Sequence, residues 1–138
     1  MGKISGPLLD RIDLHVQVVP VPFAKLTEQP TGESSQDIRK RVVAAREVQN
    51  ERYKELEGIH CNAQMTPKLL TRYAQPDEQG SKMLKMAMEK LGLSARAYDR
   101  ILRVARTIAD LEQEESVLSK HIAEAIQYRS LDRDTWGI

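Results

Sequence analysis

The sequence predicts a mainly α-helical protein, a bundle of about five helices preceded by one β-strand that has no partner strand. Three observations lead to this fold class. Only 4% of the 138 residues are aromatic, so an aliphatic core is expected, which favours helix-on-helix packing over a β-sandwich. From residue 34 onward, apolar residues recur at three- and four-residue spacing. Before that point, residues 12–19 alternate between apolar and polar side chains.

The orphan strand is predicted from residues 12–19, IDLHVQVV, and the prolines that follow end it. Residues 20–33 hold three prolines and one glycine, which indicates a linker. A strand without a partner leaves its backbone groups unpaired and invites another strand to bind. We therefore expect residues 4–19 to be the last strand region of a truncated domain, with residues 1–3 as an added start. In this chain the segment is expected to be disordered, folded back onto the bundle or paired with a second copy.

Capping residues and apolar stripes predict the five helices. Ser34 or Ser35 caps the first helix and Gly58 ends it, while Thr66 followed by Pro67 starts the second. Gly92 ends the third helix, Ser94 starts the fourth and Ser116 starts the fifth. The buried face of the fourth helix is predicted to include Tyr98, Ile101, Leu102 and Ala105. The helical region is expected to span 34–129, with a polar tail over 130–138.

Charge, cysteine content and hydropathy exclude several function classes. A net charge of +1 argues neither for nor against a nucleic-acid partner. The single cysteine, Cys61, cannot form a disulfide within the chain, which suits a reducing cytoplasm, and it leaves no cysteine-based zinc site. His15, His60 and His121 lack the spacing of metal ligands. No signal peptide is evident, and no apolar run approaches the ~20 residues that a membrane span needs.

The fourth predicted helix carries an arginine face. Arg96, Arg100 and Arg103 are four and three residues apart and so share one side, while Arg106 lies beside them. One interpretation is a solvated face that acids on neighbouring helices neutralise. The other is an anion site, because guanidinium groups match phosphate oxygens and the helix start at Ser94 adds its positive dipole. The acids considered for the first interpretation are Asp77, Glu78 and Glu124.

Arg11 presents the same two alternatives. It either pairs with Asp10 or Asp13 at the start of the strand, or it presents its guanidinium group to a nucleotide on a neighbouring subunit.

Four stretches of the chain together resemble one family. "SGPLLDRIDLHV", "GESSQDIRKRVVAAREVQNERY", "LGLSARAYDRILRVARTIADLE" and "HIAEAIQYR" are similar to the C-terminal part of the magnesium-chelatase-like AAA+ ATPases of the bacterial ComM/YifB competence-protein type. The similarity runs in order from about Ile4 to Arg133. More distantly, the pattern is similar to the chelatase ATPase subunit and to the MCM helicases.

This resemblance implies roles for the arginines. Arg11 matches the arginine finger, which reaches the γ-phosphate bound by the adjacent subunit, and the helical region matches the AAA+ lid. Arg96 matches the sensor-2 arginine, and Arg100 and Arg103 follow as weaker candidates for nucleotide contact. The resemblance also implies ATP and Mg²⁺ as cofactors of the parent protein, a ring of subunits, expected to be a hexamer, and a helicase-like task on DNA in the cytoplasm, with no membrane partner.

The chain departs from the family in one large respect. It contains no G-x-x-x-x-G-K-[ST] loop and no apolar run ending in paired acids, so Walker A and Walker B are absent. Alone, it is therefore expected neither to hydrolyse ATP nor to bind it tightly. Two other hypotheses remain open at this point. One is a stand-alone helical module that binds DNA or protein, and the other is a scaffold or oligomerisation bundle.

Overall fold

The computed structural model describes residues 5–16, 18, 20–27 and 32–129. Within these residues, the regular structure consists of seven α-helices and one 3₁₀ turn. The helices are α1 (Gly6–Arg11), α2 (Phe23–Leu26), α3 (Ser35–Tyr53), α4 (Pro67–Tyr73), α5 (Glu78–Leu91), α6 (Ala95–Leu111) and α7 (Ser119–Gln127), and the 3₁₀ turn is Asn62–Gln64. Over these residues, no helix has the length and apolar character needed to cross a membrane.

Local sequence signals determine where most helices of the bundle begin. Ser34, Thr66, Asp77 and Ser94 each accept a hydrogen bond from the backbone N–H three residues further on, at 2.7–3.3 Å. Such caps satisfy donors that have no partner inside the helix. Gly92 ends α5 in the left-handed conformation, with φ of 61°. The predicted caps at 34, 66 and 94 and the predicted end at 92 are therefore confirmed.

Helix α6 is the centre of the bundle. It packs against α1, α3, α4 and α7, and α5 packs against α7. Its apolar face is buried, including Ile101 and Ala105 at 0% exposure, so the hydrophobic effect holds the other helices around it. The fully or nearly buried core consists of Tyr53, Met65, Leu70, Ala74, Leu84, Ile101, Leu102, Ala105, Ile108, Val117, Ile122 and Ala125.

The predicted orphan strand is not found. Residues 12–16 and 18 belong to no strand, and positions 17 and 19 lie outside the described residues. The chain instead forms α1 just before them, because the Ser5 side chain caps the helix and Pro7 suits its first turn. Leu9 is 2% exposed and anchors α1 against α6. A strand needs a neighbouring strand for its backbone groups, and the described residues contain none.

Several predicted boundaries were also wrong. The first bundle helix ends at Tyr53, and Gly58 lies in the turn that follows, with φ of 79°. The last helix begins at Ser119 rather than at residue 116, because Val117 first forms a bridge with Pro76. Tyr98 is 37% exposed and does not belong to the buried face of α6. In addition, α2 lies within the predicted linker.

Candidate functional site

Arg96 lies in the first turn of α6 and is exposed. Among the described residues it forms no ion pair, and the first turn of α6 contains no acidic side chain. The N-terminus of a helix carries a partial positive charge, so an arginine there adds to an existing positive potential. This end of α6 therefore carries an exposed cation that pairs with no acidic side chain among the described residues.

The other two arginines of the predicted face have partners within the chain. Arg100 forms an ion pair with Asp13 at 2.9 Å, and their side chains are 30% and 41% exposed. Arg103 donates two hydrogen bonds to the carbonyl of Met65, at 3.2 Å from Nε and 2.8 Å from Nη2. Over the described residues, none of the acids expected on neighbouring helices pairs with this face. The partners come instead from the segment after α1 and from the turn before α4.

Arg106 is buried rather than beside the exposed face. It is 3% exposed, and its guanidinium group donates to the carbonyls of Glu114 and Glu115 at 2.7 Å and 2.8 Å. It also bonds to Asp110, one helical turn away. Burial lowers the pKa of Arg106, although the Asp110 charge opposes that shift. The four-residue spacing from arginine to aspartate was a signal in the sequence that pointed to this pair.

Asp110 is the centre of a buried polar network that joins α6 to α3. Its carboxylate accepts two hydrogen bonds from Arg52, at 2.9 Å and 2.7 Å, and one from the Asn62 amide at 2.8 Å. Burial by itself would lower the pKa of Arg52, but the hydrogen bonds and charge of Asp110 raise it. Burial raises the pKa of Tyr53, whose hydroxyl donates to Asn62 at 2.7 Å.

Arg11 is the last residue of α1 and is exposed. It forms no ion pair with any side chain that the structure describes, and the side chain of Asp10 lies outside those residues. Asp13, the other acid considered as its partner, is engaged by Arg100. Arg11 and Arg96 are thus both exposed and form no ion pair with the described residues, whereas Arg100 and Arg103 have partners within the chain.

The sequence reasoning missed Arg129, which is 1% exposed although it lies two residues beyond the end of α7. Its guanidinium group donates to the carbonyls of Leu9 and Ile12 and so binds the end of α1. The stretch HIAEAIQYR contributed to the family resemblance, but no spacing rule within it connects position 129 to residues near the start of the chain.

His121 serves a structural role in the bundle. His121 accepts the N–H of Leu118 at Nδ1, 2.9 Å away, and therefore carries its proton on Nε2, which donates to Glu112 at 2.6 Å. The hydrogen bond from His121 lowers the pKa of Glu112, with a further contribution from Lys120. Within the described ranges, no three His, Cys, Asp or Glu side chains come together as a possible metal site.

Comparison with known proteins places this arrangement in a family. The model of the magnesium chelatase subunit ChlI C-terminal domain matches residues 32–129. The chain is 40% identical over 134 residues to Competence protein ComM of Haemophilus influenzae, covering 96% of this chain and 25% of the relative. It is 38% identical to YifB of Salmonella typhimurium and 37% identical to YifB of Escherichia coli, in each case over 96% of this chain and 26% of the relative.

The chain spans about a quarter of the length of these curated relatives. Its family match covers α3 to α7, which is the bundle around α6 that carries Arg96. The similarity to ComM and YifB extends over nearly the whole chain and therefore includes almost all of the segment before α3. The chain thus belongs to the magnesium chelatase ChlI C-terminal family, as the C-terminal region of a magnesium-chelatase-like AAA+ protein.

Proposed function

We propose that this chain is the lid region of an ATPase that hydrolyses ATP as a cytoplasmic ring of identical subunits, six being the expected number. In this proposal Arg11 is the arginine finger, which contacts the γ-phosphate bound by the neighbouring subunit, and Arg96 is the sensor-2 arginine. One observation carries these roles. Both side chains are exposed and have no ion-pair partner among the described residues, whereas Arg100 and Arg103 have partners within the chain.

The chemistry of phosphoryl transfer fits these two groups. Negative charge spreads over the transferred phosphoryl oxygens, and an arginine placed there accelerates the reaction by roughly 10³–10⁵-fold in other nucleotide hydrolases. A guanidinium group is always charged and presents donors in a planar fork that suits phosphate. Arg96 has the additional support of the α6 N-terminus, where backbone N–H groups and the helix dipole also favour an anion.

The remaining parts of an ATP site would come from outside this chain. The exposed guanidinium groups suit the phosphates of ATP, but the sequence has no phosphate-binding G-x-x-x-x-G-K-[ST] loop. In this proposal Mg²⁺ binds together with the phosphates of ATP, as it does at other phosphoryl-transfer sites. The chain alone is accordingly expected to bind ATP weakly and not to hydrolyse it.

The wider task that we propose is movement along DNA or remodelling of DNA, driven by ATP. The support comes from a relative whose name identifies it as a competence protein, and from the resemblance to helicase-like AAA+ motors. In such a ring the lid would rotate with the state of the bound nucleotide and transmit that state to the next subunit. Arg100 and Arg103 stay secondary candidates for phosphate contact, available only if their present partners release them.

Steady-state ATP turnover by the full-length protein tests the two roles. Arg11→Ala is expected to lower kcat by about three orders of magnitude, the lower end of what an arginine finger contributes. Arg96→Ala is expected to lower turnover as well. Both side chains are exposed, so each variant should keep its free energy of unfolding within about 0.5 kcal/mol of the parent.

Arg46→Ala is the matched control. Arg46 is an exposed arginine on α3 that forms no ion pair with the described residues, and its removal is expected to leave turnover unchanged. Wild-type turnover in both Arg11→Ala and Arg96→Ala would contradict the proposed roles and would favour a binding module or a scaffold.

A further inference from the structure

Arg129 binds the C-terminal end of the helix that presents Arg11. Its Nη2 donates to the carbonyl of Leu9 at 3.0 Å, and its Nη1 donates to the carbonyl of Ile12. These acceptors lie in the last turn of α1 and at the residue that follows it, and the carbonyl of Leu9 also accepts the backbone N–H of Ile12 at 3.1 Å. An arginine from the opposite end of the chain therefore completes the end of α1.

Two more contacts tie the same segment to the bundle. The backbone N–H of His15 donates to the carbonyl of Tyr128 at 2.6 Å. Within the segment itself, the His15 ring contacts the carbonyl of Leu9 at 3.1 Å through Nε2. Asp13 pairs with Arg100 on α6. The residues on both sides of Arg11 are thus attached to α6 and to the end of α7.

The burial of Arg129 makes this attachment specific. A guanidinium group keeps its charge at all accessible pH values, so burying it is costly unless acceptors surround it. The C-terminus of a helix carries a partial negative charge, which favours a cation at the end of α1. Because the planar fork donates to two carbonyls at once, it sets the direction of the helix end as well as its position.

We propose that Arg129 is a positioning residue for Arg11. It clamps the end of α1 to the bundle, so that a rotation of the lid moves the arginine finger against the ATP of the neighbouring subunit. This inference rests on the proposed function, and it adds a route by which the lid that carries Arg96 controls a site on another subunit. Arg129 itself touches no substrate.

The kinetic test is made on the full-length protein. Arg129→Ala is expected to lower kcat for ATP by about 100-fold, the order of loss that a displacement of about 1 Å causes in a catalytic group. The KM for ATP should stay near that of the parent, because the neighbouring subunit still binds ATP with its own residues. Arg129→Lys keeps the positive charge but loses the planar guanidinium group that donates to two carbonyls. Its kcat should therefore lie between those of the parent and of Arg129→Ala.

Combination with Arg11→Ala separates positioning from a general structural effect. Arg129→Ala should cause no further loss in that background, because both changes act through the same guanidinium group. An unchanged kcat in Arg129→Ala, or an equal fall in both backgrounds, would overturn the inference while leaving the arginine-finger role intact. Wild-type turnover in Arg11→Ala alone would instead overturn the proposed function and the positioning role that depends on it.

Hydrogen exchange supplies a readout that does not need activity, and it applies to Arg129→Lys even if Arg129→Ala does not fold. Exchange at the amides of Leu9 and Ile12 should speed up while the amides of α5 keep their protection. Arg106→Lys is the matched control, because Arg106 is also a buried arginine bonded to carbonyls. It should lower stability without changing exchange in α1. An equal effect of both lysine variants on α1 and on kcat would contradict a positioning role.

Discussion

At the scale of single residues, the arginines of α6 differ in their surroundings although their spacing is regular. Arg96 is exposed, Arg100 is paired with Asp13, and Arg106 is 3% exposed. The burial of Arg106 is possible because Asp110 and several carbonyls satisfy its donors. Buried charges are tolerated when every partner is present, and the loss of one partner leaves the other charge uncompensated.

Asp110→Ala tests this dependence. The change would leave the guanidinium groups of Arg52 and Arg106, whose side chains are 11% and 3% exposed, without their shared carboxylate, so we expect a loss of about 3–5 kcal/mol in the free energy of unfolding. Urea unfolding monitored by circular dichroism measures it. Asp99→Ala on the same helix is the control, since Asp99 forms no ion pair with the described residues, and it should change stability by less than about 0.5 kcal/mol. Equal losses in the two variants would contradict the network.

At the scale of elements, the starts of α3, α4, α5 and α6 each have a side-chain cap at the N-cap residue, whereas the start of α7 does not. The first four have a side-chain cap that the sequence displays. At α7 the N-cap is Leu118, and its N–H is satisfied by the ring of His121, which Glu112 orients in turn. The junction between α6 and α7 therefore depends on a carboxylate, and its stability should depend on pH.

The sign of that dependence follows from the pKa of Glu112, which the hydrogen bond from His121 holds below its ordinary value. A carboxylate with a lowered pKa in the folded state stabilises the fold above its unfolded pKa, about 4.3, and loses that contribution as the pH falls through the folded value. Thermal unfolding should therefore show that Glu112→Gln lowers Tm most at neutral pH, with the difference shrinking in acid.

Glu115→Gln serves as the control for this pH series. The carboxylate of Glu115 is exposed and forms no hydrogen bond to the described residues, so its replacement should change Tm less at neutral pH. If the difference in Tm between Glu112→Gln and the parent stayed constant from neutral to acid pH, the carboxylate would not act through its charge.

At the scale of the whole molecule, the charge distribution predicts weak binding of DNA by this chain alone. Two members of the arginine face are occupied, Arg100 by Asp13 and Arg103 by the carbonyl of Met65. Each phosphate contact would add about 0.9 to the slope of log affinity against log salt. Fluorescence anisotropy with duplex and single-stranded DNA should thus detect little binding and a shallow slope.

The opposite result would favour the stand-alone binding module. Tight, strongly salt-dependent binding that Arg100→Ala and Arg103→Ala abolish would mean that the face leaves its internal partners to contact phosphate. Arg46→Ala should leave any residual binding unchanged, because Arg46 lies on α3 rather than on the arginine face.

The sequence by itself determined the helical bundle, most of its caps, the end of α5 at Gly92 and the family. These features depend on neighbours within a few residues, such as a serine followed by a helical stripe, and on short stretches of characteristic order. The prediction of an orphan strand failed because an alternating pattern shows only which side chains share a face. Whether a strand forms depends on a partner strand, and the described residues contain none.

Only the tertiary structure decided which arginines are exposed and what holds the segment around Arg11. The hydrogen bond from Arg129 to Leu9 joins residues separated by 120 positions, and the pair between Arg100 and Asp13 joins residues separated by 87. Periodicity assigns a side chain to a face of its own helix, but burial depends on what packs against that face. Distant segments supply those neighbours, so the division of the arginines into exposed and buried groups arises only when the chain is folded.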